Sequence, residues 1–228
     1  MNGAHDLGGK HGFGEIDRSQ TANFNAEWEE KVFALTLACG MLGRWNLDQS
    51  RSAREQMDPA HYLNSSYYEH WLSGLEDLLV EKNLLTREEL HTGHSQNDPR
   101  VEPVNPAKMQ QILAVGGPTL LQSKRQPQFA IDDRVVVTAQ HPSLHTRAPG
   151  YVKGKAGVIV AHHGAHIFAD EHARSGEKTA EHLYGVKFDA ATLWGEHEAG
   201  DPEQMVYVDL FEPYLMTIKN YLLQVETP

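Results

Sequence analysis

Apolar positions in this chain follow two different periods, one on each side of a proline-rich stretch near its middle. In "FNAEWEEKVFALTLACGML" (24–42), Trp28, Val32, Leu35, Cys39 and Leu42 step by four and three, with Glu29, Glu30 and Lys31 between them. That spacing predicts an amphipathic helix with one buried face. Asn25 is its expected N-cap, and the acids that follow suit a first helical turn. "LDQSRSAREQM" (47–57) predicts a short helix stopped at Asp58-Pro59, where Asp58 caps a new turn that has proline at its first position. "SYYEHWLSGLEDLLVEKN" (66–83) pairs Ser66 with Glu69, and "TREEL" (86–90) pairs Thr86 with Glu89. Both read as capping boxes, in which two orphan backbone donors are satisfied reciprocally.

Residues 91–106, "HTGHSQNDPRVEPVNP", have three prolines and no apolar period, and read as a linker or surface loop. "PAKMQQILAVGG" (106–117) predicts one more short helix ended by glycine. From Phe129 onward the runs "RVVVTA", "AGVIVAHH", "HLYGVKF" and "MVYVDLF" are short and β-rich. They predict four or five strands in a small barrel or sandwich. Residues 1–23 hold five glycines and few apolar side chains, too little for a core, and read as an extended arm. The expected organisation is an arm (1–23), a helical domain (24–105), a linker with a short helix (106–128) and a β-domain (129–228).

Composition narrows the function classes. The chain has 228 residues and a formal charge of -11, which argues against a nucleic-acid binder that relies on cationic contacts to phosphate. Cys39 is the only cysteine, so no intrachain disulfide forms, and its helical spacing makes it a small core residue. No apolar run approaches the roughly 20 residues of a membrane span, and no signal-like segment opens the chain. A cytoplasmic protein is the expectation.

Three stretches carry candidate chemistry. "GGKHGFG" (8–14) follows no predicted strand and lacks dinucleotide or Walker spacing, so a phosphate loop is not supported. His162, His163 and His166 have the donor type of metal ligands, but adjacent strand residues point to opposite faces. "HHGAH" therefore reads better as a turn at a strand end. In "LHTRAPGYVKGKAGVIVAHHG" (144–164), Gly150, Gly154 and Gly157 suit tight turns, and Arg147 sits before Pro149 in a loop that strands can hold rigid. In "RSARE", Arg51 and Glu55 are spaced for an intrahelical pair, and Arg54 is expected to tolerate lysine.

Taken together and in order, "MNGAHDLGG-HG-G", "LD--R----EQM-P--YL", "YYEHW", "HTRAPGYVKGKAGVIVAHHGAHIF", "EHLYGVKF", "LWG" and "FEPYL" resemble the nitrile hydratase β subunit from end to end. Ser50 departs from the pattern, since many relatives place an aromatic residue before the arginine. The resemblance implies an α+β chain with a helical N-terminal half, an extended N-terminal arm and an SH3-like C-terminal barrel. It implies a partner α subunit, in an αβ heterodimer or an α2β2 assembly, which holds low-spin Fe(III) or Co(III) in a cysteine-rich claw; no metal ligand falls on this chain. Arg51 and Arg147 match the two arginines that hydrogen-bond the oxidised claw cysteines. Tyr67, Tyr68 and Trp71 match the aromatics of the substrate pocket, and Glu55 and His70 match supporting positions that tune or relay protons. The implied reaction is hydration of small nitriles to amides. A thiocyanate hydrolase-type subunit and a non-catalytic accessory protein are the alternatives. The former carries these halves on separate subunits, and the latter resembles the helical half alone.

Overall fold

Side-chain caps open most helices in the first half of the chain, and most begin where the sequence places them. The computed structural model describes residues 3–16, 18, 19, 22–96, 101–195, 201 and 203–225. Residues 1, 2, 17, 20 and 21 of the expected arm, and 97–100 of the expected linker, lie outside the described residues. The chain divides into two compact units, one made of residues 3–5 and 11–118 and the other of residues 6–10 with the chain from Thr119 onward.

The first unit is helical: α1 (Glu27–Gly40), α2 (Leu47–Glu55), α3 (Pro59–Asn64), α4 (Tyr67–Glu81), α5 (Arg87–Thr92) and α6 (Pro106–Val115). Asp58 Oδ1 accepts from the backbone N–H groups of Ala60 and His61, both at 3.0 Å. The Ser66 N–H donates to Glu69 at 2.6 Å, and Thr86 and Glu89 exchange both bonds of a capping box. A capping box between Asn46 and Gln49, which the sequence reading misses, opens α2. At α1 the expectation is corrected. Ala26 occupies the N-cap, while Asn25 gives its backbone N–H to the Glu29 carboxylate at 2.5 Å.

The predicted apolar face of α1 is only partly buried. Val32 is buried, but Trp28 and Leu35 remain 39% and 54% exposed. The reason is geometric: α1 packs chiefly on α4, and one helical neighbour covers a line of side chains rather than a broad stripe. The core of this unit is small, built on Trp45, Leu75 and Leu78 with Cys39, Ala53, Leu79 and Leu84 against them. Cys39 is thus half-buried at the edge of that core, not within it. Helices α2 and α4 approach closely at Gly74. A Cβ there would stand 2.7 Å from Arg54 Cγ and 3.3 Å from the Arg54 backbone nitrogen.

The second unit holds β1 (Leu120–Leu121), β2 (Arg134–Val137), β3 (Ala156–Ile167), α7 (Ala169–Ser175), β4 (Ala180–Asp189), α8 (Ala190–Trp194), β5 (Met205–Phe211), β6 (Leu215–Thr217) and α9 (Ile218–Val225). The sheet runs β5-β4-β3-β2-β6, and the two-residue β1 pairs with the far end of β3. Every pairing is antiparallel. As hydrogen-bonded, the sheet is open, ending at β5 and β6. "HHGAH" does not end a strand: β3 continues through it to Ile167, with register shifts between Ile159 and Ala161 and between His162 and Ala165. A bulge re-aims side chains without ending the pairing. Val135, Val137, Ile159, Tyr184, Val186, Phe188 and Leu210 form the centre of one core. Gly157 permits that packing, because a Cβ there would stand 2.7 Å from Val186 and 2.8 Å from Phe188.

Candidate functional site

Two arginines on α2 face different surroundings. Arg51 Nη1 donates to Asp48 Oδ1 at 3.0 Å, one turn toward the capped N-terminus. The Arg51 side chain stays 40% exposed while Asp48 is buried, so the remaining guanidinium donors have access to solvent. Arg54 is not the tolerant surface cation that the sequence suggests. Its guanidinium carbon lies 4.2 Å from the centroid of the Trp71 ring, and its Nη2 donates to Ser50 Oγ at 3.0 Å. Burial holds the Arg54 pKa below its ordinary value, an effect only partly countered by the nearby Tyr67 and Glu55. Ser50, the position flagged as unusual, is itself buried and receives that bond.

The aromatic residues singled out from the sequence form one group at the start of α4. Ring centroids are 5.1 Å apart for Tyr67 and Tyr68, 5.8 Å for Tyr67 and Trp71, and 5.9 Å for Tyr68 and Trp71. Phe24 extends the cluster at 5.4 Å from Tyr68, and Phe33 at 5.9 Å from Trp71. Tyr67 is 63% exposed, so the cluster presents an aromatic ring to solvent.

Glu55 and His70 belong to a second group. His70 stacks on Tyr62 with centroids 4.0 Å apart, and its Nε2–H donates to the Tyr62 carbonyl at 2.8 Å. That bond fixes the Nε2–H tautomer in the neutral ring, since a carbonyl only accepts. Glu55 lies 4.0 Å from His5, whose ring meets Tyr62 edge-on. Burial, and then the Glu55 charge, push the Tyr62 phenol up. His5 and Tyr62 were not found from the sequence. The local cue for Tyr62 was its position eight residues before His70; His5 had none.

Arg147 stands in the second unit, in the loop between β2 and a 3-10 turn at Gly150–Val152. Its neighbours His145 and Ala148 are 1% and 7% exposed, whereas Arg147 itself is exposed. Among the described residues its guanidinium has no hydrogen-bonding partner. Its backbone N–H donates to the Tyr214 hydroxyl at 3.1 Å, and that hydroxyl donates in turn to Asp170 Oδ1. Burial raises the Asp170 carboxyl, opposed by hydrogen bonds from Tyr214 and Thr146. Burial and the Asp170 charge together push the Tyr214 phenol far above its ordinary range. Neither Tyr214 nor Asp170 was singled out from the sequence, because each is distant in sequence from the loop it supports.

Among the described residues, no three His, Cys, Asp or Glu side chains converge as a metal ion would require. The histidines of β3 diverge: His162 Nε2 lies 3.1 Å from His182 Nδ1, while His163 Nε2 lies 3.1 Å from Asp209. Burial pushes the Cys39 thiol up, away from the thiolate form that binds metals. No described helix is long and apolar enough to cross a membrane. The side chains brought forward here are cation donors and aromatic surfaces.

Comparison with known proteins gives consistent matches along the chain. The family model described as nitrile hydratase beta subunit, N-terminal, matches residues 1–115, and the one described as nitrile hydratase beta subunit, C-terminal, matches residues 118–217. The low-molecular weight cobalt-containing nitrile hydratase subunit beta of Rhodococcus rhodochrous is 37% identical over 226 residues, covering 95% of this chain and 99% of that relative. The cobalt-containing nitrile hydratase subunit beta of Pseudonocardia thermophila is 37% identical over 230 residues, covering 94% and 96%. Among solved structures, a chain of the recombinant apo-enzyme of thiocyanate hydrolase from Thiobacillus thioparus covers 51% of this chain at 24% identity. Its TM-score of 0.39 is too low to support an argument.

Proposed function

The chain belongs to the nitrile hydratase β-subunit family, and from that premise we propose that it works as the arginine-donating half of a nitrile-hydrating αβ enzyme. The reaction is R–C≡N + H2O → R–C(O)NH2. In this reading the partner α subunit holds Fe(III) or Co(III), and the cobalt in the names of two relatives is in keeping with that. When bound there, the metal supplies Lewis-acid activation of the nitrile or of water.

This chain's own contribution is electrostatic and steric. Arg51 and Arg147 each donate to the oxidised, anionic cysteine ligands of the partner. Guanidinium suits that task because it stays charged and presents a rigid fork of donors. The observation that carries the reading is Arg147: an exposed guanidinium without a partner among the described residues, on a loop whose flanking side chains are buried. Tyr67, Tyr68 and Trp71 line the approach of the nitrile and exclude water from it. His70 holds a proton at Nε2 on the Tyr62 carbonyl, and Glu55 stands beside His5, whose ring meets Tyr62. The SH3-like reading of the second unit belongs to the same proposal, supported by six antiparallel strands, two of them long, packed around one core. The arm, helical and barrel segments at 1–23, 24–105 and 129–228, with 106–128 linking the last two, are its domains.

Both halves on one chain favour nitrile hydratase over the separate subunits of a thiocyanate hydrolase. The test is reconstitution. Purified alone, the chain should hold no stoichiometric iron or cobalt and form no amide. Co-expressed with a claw-bearing α subunit, it should co-purify in a 1:1 ratio and gain activity. Tight metal and turnover in the isolated chain would overturn the proposal.

A further inference from the structure

Arg147 sits in a stretch of chain, residues 138–149, that contains neither helix nor strand. Such a loop has no ladder to orient it, so its direction depends on individual anchors. The anchor at Arg147 itself is the bond from its N–H to the Tyr214 hydroxyl at 3.1 Å. A phenol has a single proton, and Tyr214 commits it to Asp170 Oδ1. That leaves the phenol oxygen free to accept, so the chain of bonds has one direction, from Arg147 N–H to Tyr214 to Asp170. An acidic acceptor at the far end polarises the phenol and makes it a better acceptor for the amide.

Tyr214 is itself buried and held on several sides. Its carbonyl accepts from Thr138 N–H at 2.7 Å, and its ring is 5.7 Å from Phe168 and 6.0 Å from Phe211. Beside the anchor, Ala148 N–H donates to Thr146 Oγ1 at 3.3 Å, and Thr146 also bonds Asp170. Among the described residues, the groups facing Asp170 are Tyr214, Thr146 and the buried His145, whose charge would favour the ionised carboxyl.

We infer that Tyr214 and Asp170 are positioning residues that aim the Arg147 guanidinium through its backbone. The inference rests on the proposed role of Arg147 toward the partner's oxidised sulfur. A guanidinium on a long side chain is useful only if its base is fixed, and a misplacement of about 1 Å lowers rates by about 100-fold.

The test is a double-mutant cycle in the assembled, metal-loaded αβ complex, with Tyr214→Phe, Arg147→Lys and both together. Tyr214→Phe keeps the ring and removes the hydroxyl. It should lower kcat by about 10- to 100-fold with KM within about threefold. In the Arg147→Lys background the same change should alter kcat by less than about twofold, since it acts through a group no longer there. Asp170→Asn retains an acceptor for the phenol and should keep most of the activity that Asp170→Ala loses. The Asp170 pair makes the same comparison if Tyr214→Phe does not assemble. An impaired Arg147→Lys beside a fully active Tyr214→Phe would overturn this inference alone, as would additive losses or equal losses in the two Asp170 variants. A fully active Arg147→Lys would reject the underlying role of Arg147 and this inference with it.

Discussion

Arg54 shows how much a single side chain can depend on tertiary context. On the helix it is one of three charged residues in "RSARE", and nothing local separates it from Arg51. In the structure its guanidinium covers Trp71 and its stem crosses Gly74. Arg54→Lys replaces a flat, weakly hydrated cation by a compact, strongly hydrated one. It should therefore lower the stability of the helical unit by about 1 kcal/mol, read as a shift in the urea midpoint. Arg87→Lys, at a side chain 78% exposed, should leave the midpoint unchanged. Equal midpoints for the two variants would mean that the ring contact contributes nothing. The helices that carry the candidate residues were legible: Tyr67, Tyr68 and Trp71 share one turn of α4, and Arg51 stands on the capped α2. What could not be read was which α2 face meets α4, because that is set by the approach at Gly74 and not by any period in the sequence.

The elements of the second unit are tied together by a buried carboxylate. Glu212, in the 3-10 turn after β5, is 4% exposed and accepts from the Tyr184 hydroxyl at 2.6 Å. It also accepts from the backbone and side-chain nitrogens of Gln128, at 2.9 and 3.0 Å. Burial alone would raise the Glu212 pKa, but the hydrogen bonds from Tyr184 and Gln128 outweigh it and hold the carboxyl below its ordinary value. Burial and this carboxylate push the Tyr184 phenol up to about 12. A carboxyl held low binds its proton less readily when folded than when unfolded. Its stabilisation is therefore complete above the ordinary Glu value of about 4.3 and fades as pH falls through the lower, folded value. Asp170, raised by burial, has the opposite sign. A parent-minus-variant comparison with Glu212→Gln separates the two. The variant should be less stable by about 1–3 kcal/mol at neutral pH, and the gap should narrow in acid; a gap independent of pH would contradict the assignment. The long strands of this unit were legible from β-branched runs, yet β1 and β6 are only two and three residues long. A pattern of period two cannot declare itself over so short a span.

At the scale of the whole molecule, several apolar residues of the N-terminal segment and of the helical unit stay open to solvent. Phe13 and Ile16 are 61% and 84% exposed, and Trp28, Leu35 and Tyr67 also remain open to solvent. The segment is not without support, since Asp6 accepts from Gly150 N–H at 2.9 Å and Gly8 and Gly9 lie against Tyr151. On the proposed reading these surfaces meet the α subunit. Deleting residues 1–20 should then weaken αβ association, and hydrogen exchange within residues 11–16 should slow when the complex forms. Unchanged exchange there would count against an arm that wraps the partner. The division into a helical half and a strand-rich half was legible in the change of period alone, whereas the arginine roles rest on family resemblance until measured. The central claim is that two guanidinium groups of this chain act on a charged acceptor held by another. Its most direct test is kcat/KM on one nitrile for Arg51→Lys, Arg147→Lys and the surface control Arg87→Lys, with assembly and metal content matched. Lysine keeps the charge but not the fork. Loss of a desolvated, charged hydrogen bond of a few kcal/mol predicts a fall of roughly 100-fold for the first two and almost none for the control. If Arg51→Lys and Arg147→Lys assemble normally and stay within about threefold of Arg87→Lys, the account is contradicted.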